Sequence, residues 1–161
     1  MKTIYKTTWQ SPLGLILLAA TERGLCGCWF IGQKHFPAGS DAWSEDVARL
    51  QPAIDWLTGY FQNATSPSQA PLIDWVGGTD FQRSVWSTLQ QIPAGKTLSY
   101  GQIAAKLGRP AASRAVGAAV GRNPISLIVP CHRVVGGNGS LTGYAGGLER
   151  KQWLLAHEKA G

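Results

Sequence analysis

The sequence lacks the long apolar runs and the cysteine density that mark membrane proteins and disulfide-rich secreted proteins. No stretch of its 161 residues approaches the ~20 uninterrupted apolar positions that a membrane-spanning helix requires. Its three cysteines are an odd number, which argues against a disulfide framework. Residues 1–6 also lack the apolar segment of a secretory signal peptide. We therefore expect no membrane association, a cytoplasmic (intracellular) location, and a free thiol at Cys131.

Acidic residues are scarce in the second half of the chain. Through Val76 the sequence has five lysines and arginines against six acidic residues, whereas from Gly77 onward it has ten against three. The net charge of +6 therefore resides in the second half. A basic segment of this kind indicates a polyanion such as nucleic acid as its partner, although charge alone is equally compatible with a solvated basic surface that binds nothing.

The first half has the pattern of a small antiparallel sheet followed by a helix. Three β-rich runs are separated by turn residues, and they span residues 3–9, 13–20 and 25–31. Apolar residues spaced by threes and fours then mark one face of a helix between Val47 and Phe61. Because Pro52 lies inside this pattern, we expect a kink or a late start of the helix there.

The segment 62–79 is predicted to be a linker, because it combines two prolines, two glycines and several small polar residues. We therefore divide the chain into an N-terminal supporting domain, residues 1–76, and a C-terminal domain, residues 77–161.

The second half is predicted to be mainly helical. Thr79 and Ser99 each precede a glutamine by three residues at the start of an apolar pattern, which is the arrangement of a helix-capping box. After a turn containing glycine, the chain restarts with Pro110 near the first position of a third helix, where proline is tolerated. The last two helices and their turn form a helix-turn-helix pattern. The third helix carries mostly alanine and glycine around Arg114, which suits either a nucleic-acid groove or tight helix packing.

Cys131 and His132 are the strongest candidates for a chemical site. They follow the apolar run 125–129, which is interpreted as a buried strand, and Pro130, which ends that strand where a site can open. A cysteine reacts as its thiolate, and a free thiol with a pKa of about 8.5 is mostly protonated at neutral pH. A nearby base is therefore what makes a nucleophile. These residues alone support a nucleophile and a buried structural cysteine equally well.

Four segments of the second half together resemble the O6-alkylguanine-DNA alkyltransferases, DNA repair proteins that transfer an alkyl group from guanine O6 onto one of their own cysteines. The resemblance is strong from about Phe81 to Glu158 and weak before Val76. It implies an α+β fold, in which a ribonuclease-H-like domain with a three-stranded antiparallel sheet and a helix precedes a helical domain with a helix-turn-helix. The segments are Arg114-Ala115-Val116-Gly117, Asn123-Pro124, Pro130-Cys131-His132-Arg133-Val134 and Tyr144-Ala145-Gly146-Gly147.

The resemblance also implies catalytic roles. Cys131 would accept the alkyl group, and His132 would activate it through a water, with Glu158 orienting the imidazole from behind. The residues alone instead favour a surface acid for Glu158, paired with lysines of its own helix. Asn123 would hold the turn that carries Cys131, and its position before Pro124 also suits a C-terminal helix cap.

Further roles concern the base and the DNA. Guanine O6 is stacked and paired in a duplex, so the nucleotide must be flipped out. By resemblance, Arg114 would fill the vacated place from the minor-groove side and Tyr100 would rotate the phosphate, although sequence alone favours a core aromatic for Tyr100. The base pocket would comprise Tyr100, Val134, Tyr144, Ala145, Gly146 and Lys151, and the DNA contacts would comprise Ser99, Tyr100, Arg114, Ala115 and Arg133.

No cofactor is implied, and alkylation would leave a stable thioether, so the protein would be consumed in a single turnover. Cys26, Cys28 and His35 make a poor zinc set because a fourth ligand is missing, and packing within a strand is the favoured interpretation. The partner would be double-stranded DNA carrying O6-alkylguanine, with O4-alkylthymine as a second candidate substrate. The protein would be a monomer, with cooperative binding along DNA left open.

Two other functions remain compatible with the sequence. One is a non-catalytic binder of alkylated DNA, although the related class of binders has tryptophan where this chain has Cys131. The other is a cysteine hydrolase acting on small esters or amides, which would turn over repeatedly and ignore DNA.

Overall fold

The computed structural model describes residues 3–64 and 69–160, and its N-terminal part is an antiparallel sheet edged by one short parallel strand. β1 (Tyr5–Ser11) pairs with β2 (Gly14–Ala20), which pairs with β3 (Leu25–Phe30), both antiparallel. The three expected strands are confirmed. A fourth strand, β4 (Ser44–Glu45), pairs parallel to β1 and completes the order β3-β2-β1-β4. Two residues are too few to show an alternating pattern, so the sequence gives no signal for this strand.

Strand β3 is buried on both faces. Cys28 faces the main core, whereas Cys26 belongs to a smaller cluster on the other face, together with Leu17, Ala19 and Trp29. Residues two apart share a face in a regular strand, but β3 carries an irregularity here: Ala19 pairs with Gly27 and Ala20 with Leu25, which leaves Cys26 as an extra, unpaired position. This bulge places the two cysteines on different sides of the sheet.

Helix α1 (Gln51–Gln62) begins late, as Pro52 predicts. A 3-10 turn, Val47–Leu50, precedes it, and Pro52 lies in the first turn of the α-helix, where a backbone donor is not required. The last turn of α1 carries Tyr60 into the main core, where the ring is fully buried.

The predicted linker is wrong for residues 72–74. Leu25 donates its N–H to Leu72 O at 2.8 Å, and Asp74 donates its N–H to Leu25 O at 2.8 Å. The Thr21 hydroxyl adds a 2.6 Å hydrogen bond to the Asp74 carboxylate. These bonds fasten the segment to the edge of the sheet, and residues 65–68 lie outside the described residues. The division of the chain at residue 76 stays a prediction.

Helices α2 (Asp80–Leu89) and α3 (Tyr100–Lys106) begin at the two predicted capping boxes, which are confirmed. Thr79 and Ser99 each accept a hydrogen bond from the N–H of the glutamine three residues later, and the side chain of that glutamine accepts from the N–H of the cap residue. Each box thereby satisfies two donors that a helix start leaves open.

Helix α4 (Ser113–Gly121) packs against α3 and completes the predicted helix-turn-helix. Its predicted start near Pro110 is wrong. Pro110 lies in a turn that closes when Ala112 donates its N–H to Arg109 O at 2.9 Å, and the helix begins only after this turn. Arg114 is exposed on the outer side of α4.

The run 125–129 is not the predicted strand. Ile125 makes a single parallel bridge to Cys28, and the chain then turns, with Leu127 in the left-handed region at φ 72°. That conformation is uncommon for a leucine. A short apolar run has no period by which a buried strand can be distinguished from a buried turn, which explains the error.

The chain closes around this turn. A 3-10 turn, Cys131–Arg133, leads into β6 (Val134–Val135), which pairs parallel with β5 (Leu98–Ser99). Helix α5 (Leu148–Ala160) then packs on the 3-10 turn. Within the described ranges, no helix is long and apolar enough to cross a membrane.

Candidate active site

Cys131 lines a cavity of about 450 Å³. It is a free thiol and is only 4% exposed. The cavity lies between helix α4, the start of α3, the glycine-rich loop before α5 (residues 142–147) and the loop after β3. The other side chains that line it include Tyr100, Tyr144, Ala145, Lys34 and His35.

Asn123 holds the turn that carries Cys131. Its buried Nδ2 donates to Val129 O at 2.8 Å and to Ile125 O at 3.3 Å, while its Oδ1 accepts from the Ile125 N–H at 3.0 Å. These bonds satisfy backbone groups that an irregular buried turn leaves open. Asn123 also lies at the end of α4, directly after the Arg122 C-cap, and its N–H donates to Val120 O at 3.2 Å while its side chain bonds forward to the turn.

The surroundings of Cys131 act on its thiol in opposite directions. Burial raises the pKa of Cys131, whereas hydrogen bonds from Asn123 and Ser126 and the charge of Lys151 lower it, and burial prevails. The resting group is therefore a protonated thiol. The donors nearby stabilise a thiolate once a base removes the proton.

His132 and Glu158 form a buried pair. His132 Nε2 lies 2.6 Å from Glu158 Oε2, and both side chains are inaccessible to solvent. Burial lowers the pKa of His132 against the opposing hydrogen bond and charge of Glu158, so the resting imidazole is neutral. Burial alone would raise the pKa of Glu158, but hydrogen bonds from His132, Arg133 and Tyr60 hold it well below its usual range. The interpretation of Glu158 as a surface acid is wrong.

Arg133 is the charge partner of Glu158, and its predicted contact with DNA stays a prediction. Its Nε donates to Glu158 Oε1 at 2.8 Å and its Nη2 to Oε2 at 2.9 Å. Its Nη1 donates to Ile92 O at 2.6 Å. These bonds use three of the five N–H donors of the guanidinium, and the side chain is only 10% exposed. Arg133 therefore compensates the buried carboxylate.

Two buried side-chain atoms of this site, His132 Nδ1 and the Tyr144 hydroxyl, have no hydrogen-bond partner. No other buried side-chain nitrogen or oxygen in the described part of the chain lacks one. Because His132 Nε2 donates to Glu158, Nδ1 carries the lone pair of the neutral ring. The Tyr144 ring meets the imidazole edge-on, with ring centres 6.4 Å apart. A basic nitrogen without a protein partner therefore lies in the residue next to the thiol.

Gly146 supports the cavity wall from behind, and its predicted contact with the base stays a prediction. A Cβ atom at Gly146 would lie 2.7 Å from the Tyr144 ring and 3.1 Å from Phe30, so glycine is what permits this close approach. Gly146 does not line the cavity, whereas its neighbours Tyr144 and Ala145 do.

Val134 and Lys151 are likewise fully buried behind the wall and support it, and their predicted contact with substrate stays a prediction. Lys151 Nζ donates to Val134 O at 2.5 Å and to Thr142 O at 2.9 Å. These bonds tie β6 to the glycine-rich loop. The Lys151 charge also favours a thiolate at Cys131.

Tyr100 stands at the cavity with its hydroxyl 2.9 Å from the Thr142 Oγ1, while its ring also packs against the main core. Both interpretations of Tyr100 from the sequence are therefore compatible with its place. Arg114 and Ala115 are exposed on α4. The Ser99 hydroxyl accepts from the Gln102 N–H at 3.1 Å and caps α3. Ser99 therefore lies at the start of α3, directly before Tyr100.

Sequence reasoning missed two residues of the loop after β3. Lys34 donates its N–H to Ala145 O at 3.1 Å, and both Lys34 and His35 line the cavity. His35 is exposed and adopts a φ of 61°. The pKa of His35 is lowered by its slight burial and by the positive charges of Arg122 and Lys34. The loop has no periodic pattern that would have marked it.

No group of three or more His, Cys, Asp or Glu side chains capable of holding a metal ion occurs among residues 3–64 and 69–160. Cys26 and Cys28, which the sequence analysis weighed as metal ligands, face opposite sides of β3.

Two family models match the chain. The model described as 6-O-methylguanine DNA methyltransferase, ribonuclease-like domain, matches residues 4–73. The model described as 6-O-methylguanine DNA methyltransferase, DNA binding domain, matches residues 80–160. The chain belongs to the 6-O-methylguanine DNA methyltransferase family. The predicted family and the α+β fold class are thereby confirmed.

Similar members of the 6-O-methylguanine DNA methyltransferase family cover most of the chain. A methylated-DNA--protein-cysteine methyltransferase of Shigella flexneri is 67% identical, with 81% of this chain and 88% of that protein covered. One of Methanosarcina acetivorans is 46% identical over 96% of this chain and 98% of that protein. The crystal structure of Mycobacterium tuberculosis OGT in complex with DNA matches at a TM-score of 0.88 and 42% identity, covering 97% of this chain and 93% of that one.

Proposed function

We propose that this family member repairs DNA by direct reversal, transferring a methyl or other alkyl group from guanine O6 to the Sγ of Cys131. The observation that carries the proposal is the free thiol of Cys131 in a cavity, with the hydrogen-bonded His132–Glu158 pair beside it. The cavity volume of about 450 Å³ suits a small flat ligand such as one base.

The reaction is an in-line displacement in which atoms and electrons balance. The Cys131 sulfur forms a bond to the alkyl carbon while the bond from that carbon to guanine O6 breaks, and its electron pair goes to guanine. The thiol proton passes to His132 and then to the departing base, which leaves as ordinary guanine. The thioether is stable, and the reaction requires no cofactor, so each protein molecule acts once.

A water carries the proton between Cys131 and His132 in this proposal. Support comes from the buried Nδ1 of His132, which has no protein partner, while Glu158 holds Nε2. A buried water makes about three hydrogen bonds. The Cys131 thiol, His132 Nδ1 and the Tyr144 hydroxyl would provide them.

Helix α4 is the proposed DNA-contacting element. Its exposed Arg114 and Ala115 stand among small residues, which suits a minor groove only about 6 Å wide. Flipping the damaged nucleotide into the cavity costs a few kcal/mol, and Arg114 would fill the gap it leaves while Tyr100 turns the phosphate. The substrate is double-stranded DNA carrying O6-alkylguanine, with O4-alkylthymine as a second candidate, and the protein acts as a monomer in the cytoplasm.

The test is to incubate the protein with a duplex containing O6-methylguanine and to map the modified peptide by mass spectrometry. We expect the mass of one methylene on the peptide that contains Cys131 and none on the peptide with Cys26 and Cys28. Cys131→Ser should bind the duplex and leave the lesion in place, whereas Cys26→Ser should still transfer the methyl group.

Two outcomes would contradict the proposal. An unmodified Cys131 in a protein that binds the duplex would indicate a non-catalytic binder of alkylated DNA. Repeated turnover of small esters or amides without DNA would indicate a cysteine hydrolase.

A further inference from the structure

The last turn of α1 brings a tyrosine of the N-terminal half to the carboxylate of the active site. Tyr60 is fully buried, and its hydroxyl lies 2.6 Å from Glu158 Oε2. The same oxygen lies 2.6 Å from His132 Nε2. Because an ionised carboxylate only accepts hydrogen bonds, the Tyr60 hydroxyl is the donor. The alkyl transfer described above makes no use of this bond.

We propose that Tyr60 is a positioning residue of the alkyl transfer: its hydroxyl fixes the Glu158 carboxylate and draws on its negative charge, so that His132 stays neutral until it takes the thiol proton. This inference rests on the proposed roles of Cys131 and His132. It gives the N-terminal half a part in the chemistry, since residue 60 lies far along the chain from the other members of the site.

Packing holds the Tyr60 ring in one orientation. Trp56 stacks on it at a centroid distance of 5.2 Å with only 7° between the planes. His157 meets the ring edge-on at 5.3 Å, and its Nε2 lies 2.8 Å from Tyr60 O. Side chains locked by such packing present their polar atoms at a fixed angle, as positioning requires. Burial and the charge of Glu158 raise the pKa of Tyr60 well above its usual value, so the hydroxyl remains a donor throughout the working pH range.

The charges around His132 determine in which direction its pKa moves when the Tyr60 hydroxyl is removed. With one donor fewer, Glu158 Oε2 keeps more negative charge and favours the imidazolium form of His132. The pKa of His132 should therefore rise when Tyr60 no longer donates. The titratable or charged groups near the imidazole are Glu158 and Lys151 of α5, Arg133 and Cys131 of the 3-10 turn, Tyr60 of α1 and Tyr144 of the glycine-rich loop.

The test is the pH dependence of the single-turnover reaction of Tyr60→Phe with free O6-benzylguanine, which requires no DNA binding. His132 must be neutral to accept the thiol proton, so the rate falls at acid pH where His132 is protonated. We expect the acid limb of the Tyr60→Phe profile to lie about half a unit to one unit higher than in the wild type. At pH values below the limb, the rate should fall about three- to tenfold, because one pH unit is a factor of ten.

A matched variant separates the Tyr60 hydroxyl from the loss of any tyrosine hydroxyl in this half of the chain. Tyr5→Phe removes an exposed hydroxyl 3.5 Å from Glu22, and it should keep the acid limb of the wild type. If Tyr60→Phe lowers the thermal midpoint and leaves the acid limb in place, Tyr60 is structural only and the proposal is overturned.

A second substitution covers the case in which Tyr60→Phe does not fold. Site-specific replacement of Tyr60 by 3-fluorotyrosine keeps the ring and strengthens the donor, so the acid limb should move to lower pH. An unmoved limb or a shift to higher pH overturns the role of Tyr60. If the wild type itself fails to react with O6-benzylguanine at any pH, the proposed function fails instead, and the two failures are thereby distinguishable.

Discussion

Neighbouring groups distinguish the buried thiol of Cys131 from that of Cys28. Burial and the charge of Cys131 raise the pKa of Cys28 far above the range in which a thiolate forms. At Cys131, burial also raises the pKa, but the hydrogen bonds from Asn123 and Ser126 and the nearby Lys151 charge oppose it. Of these two thiols, Cys131 is therefore the one whose neighbours favour a thiolate. A cysteine beside a histidine in the sequence indicates a candidate, and the surrounding donors make it a nucleophile.

The sequence predicted residues of the site unevenly. Cys131, His132, Glu158 and Asn123 lie together as the family resemblance implies. Arg133 was predicted to contact DNA, whereas the structure places its guanidinium against Glu158 and Ile92 O. The position of a guanidinium depends on which distant groups accept its hydrogen bonds. No local pattern carries that information.

We expect Asn123→Ala to lose activity and stability together. The substitution leaves the Ile125 N–H and the Val129 carbonyl buried without their partners, which costs about 1–3 kcal/mol for each group left unsatisfied. Urea denaturation and the single-turnover rate measure the two losses. The exposed Asn138, whose side chain accepts from the Ser140 N–H, provides the control, and Asn138→Ala should change neither quantity strongly. An Asn123→Ala protein as stable as the wild type would contradict the role given to Asn123.

We expect Glu158→Gln to destabilise the protein at neutral pH more than at acid pH. The folded-state pKa of Glu158 lies below its unfolded value, so the stabilisation is present above pH of about 4.3 and is lost as the pH falls through the folded pKa. Because Arg133 would be left buried without a counter-charge, the loss at pH 7 should be about 3 kcal/mol. Urea unfolding at neutral and acid pH measures it. Glu149→Gln, at the exposed start of the same helix, is the control, and an equal loss for Glu158→Gln at both pH values would refute this explanation.

At the scale of elements, features set by residues close in sequence were predicted correctly, whereas features set by contacts between distant residues were not. The capping boxes at Thr79 and Ser99 involve residues three apart, so the sequence shows them directly. The start of α4 and the turn at 125–129 depend on where the chain must reverse, and Asn123 supplies the bonds that make this turn possible. An apolar run cannot reveal that requirement.

We expect helix α4 to contribute to DNA binding and base flipping and not to the alkyl transfer itself. Arg114→Ala should slow repair of O6-methylguanine in a duplex by about tenfold or more, because the flipped-out state loses the side chain that fills its gap. Reaction with free O6-benzylguanine should be unchanged, since no flipping is required. Arg23→Ala, an exposed arginine of the N-terminal half, is the matched control. Equal losses with duplex and free base would exclude the proposed place of Arg114.

At the scale of the whole molecule, both halves build the site. Cys28 of β3 donates its N–H to Pro124 O and accepts from the Ser126 N–H, next to the turn that carries Cys131. Lys34 holds the glycine-rich loop, and Tyr60 reaches Glu158. The sequence predicted two halves of different character, but these contacts join residues that are far apart in the chain, and no local pattern indicates them.

The uneven charge should appear in DNA binding. Duplex affinity should fall by at least about tenfold between about 50 and 200 mM salt, because phosphate contacts by the basic half release counterions. Titration of a labelled duplex at several salt concentrations measures the slope. Affinity that does not respond to salt would mean that the basic half is not the binding surface.

The central claim is that Cys131 accepts one alkyl group and is then spent. The most direct measurement titrates a fixed amount of protein with an excess of duplex containing O6-methylguanine and follows both the intact protein mass and the lesions removed. We expect the mass to rise by one methylene and the repaired lesions to level off at one per protein molecule. Continued removal of lesions beyond one equivalent, or removal without a change in protein mass, would contradict the account.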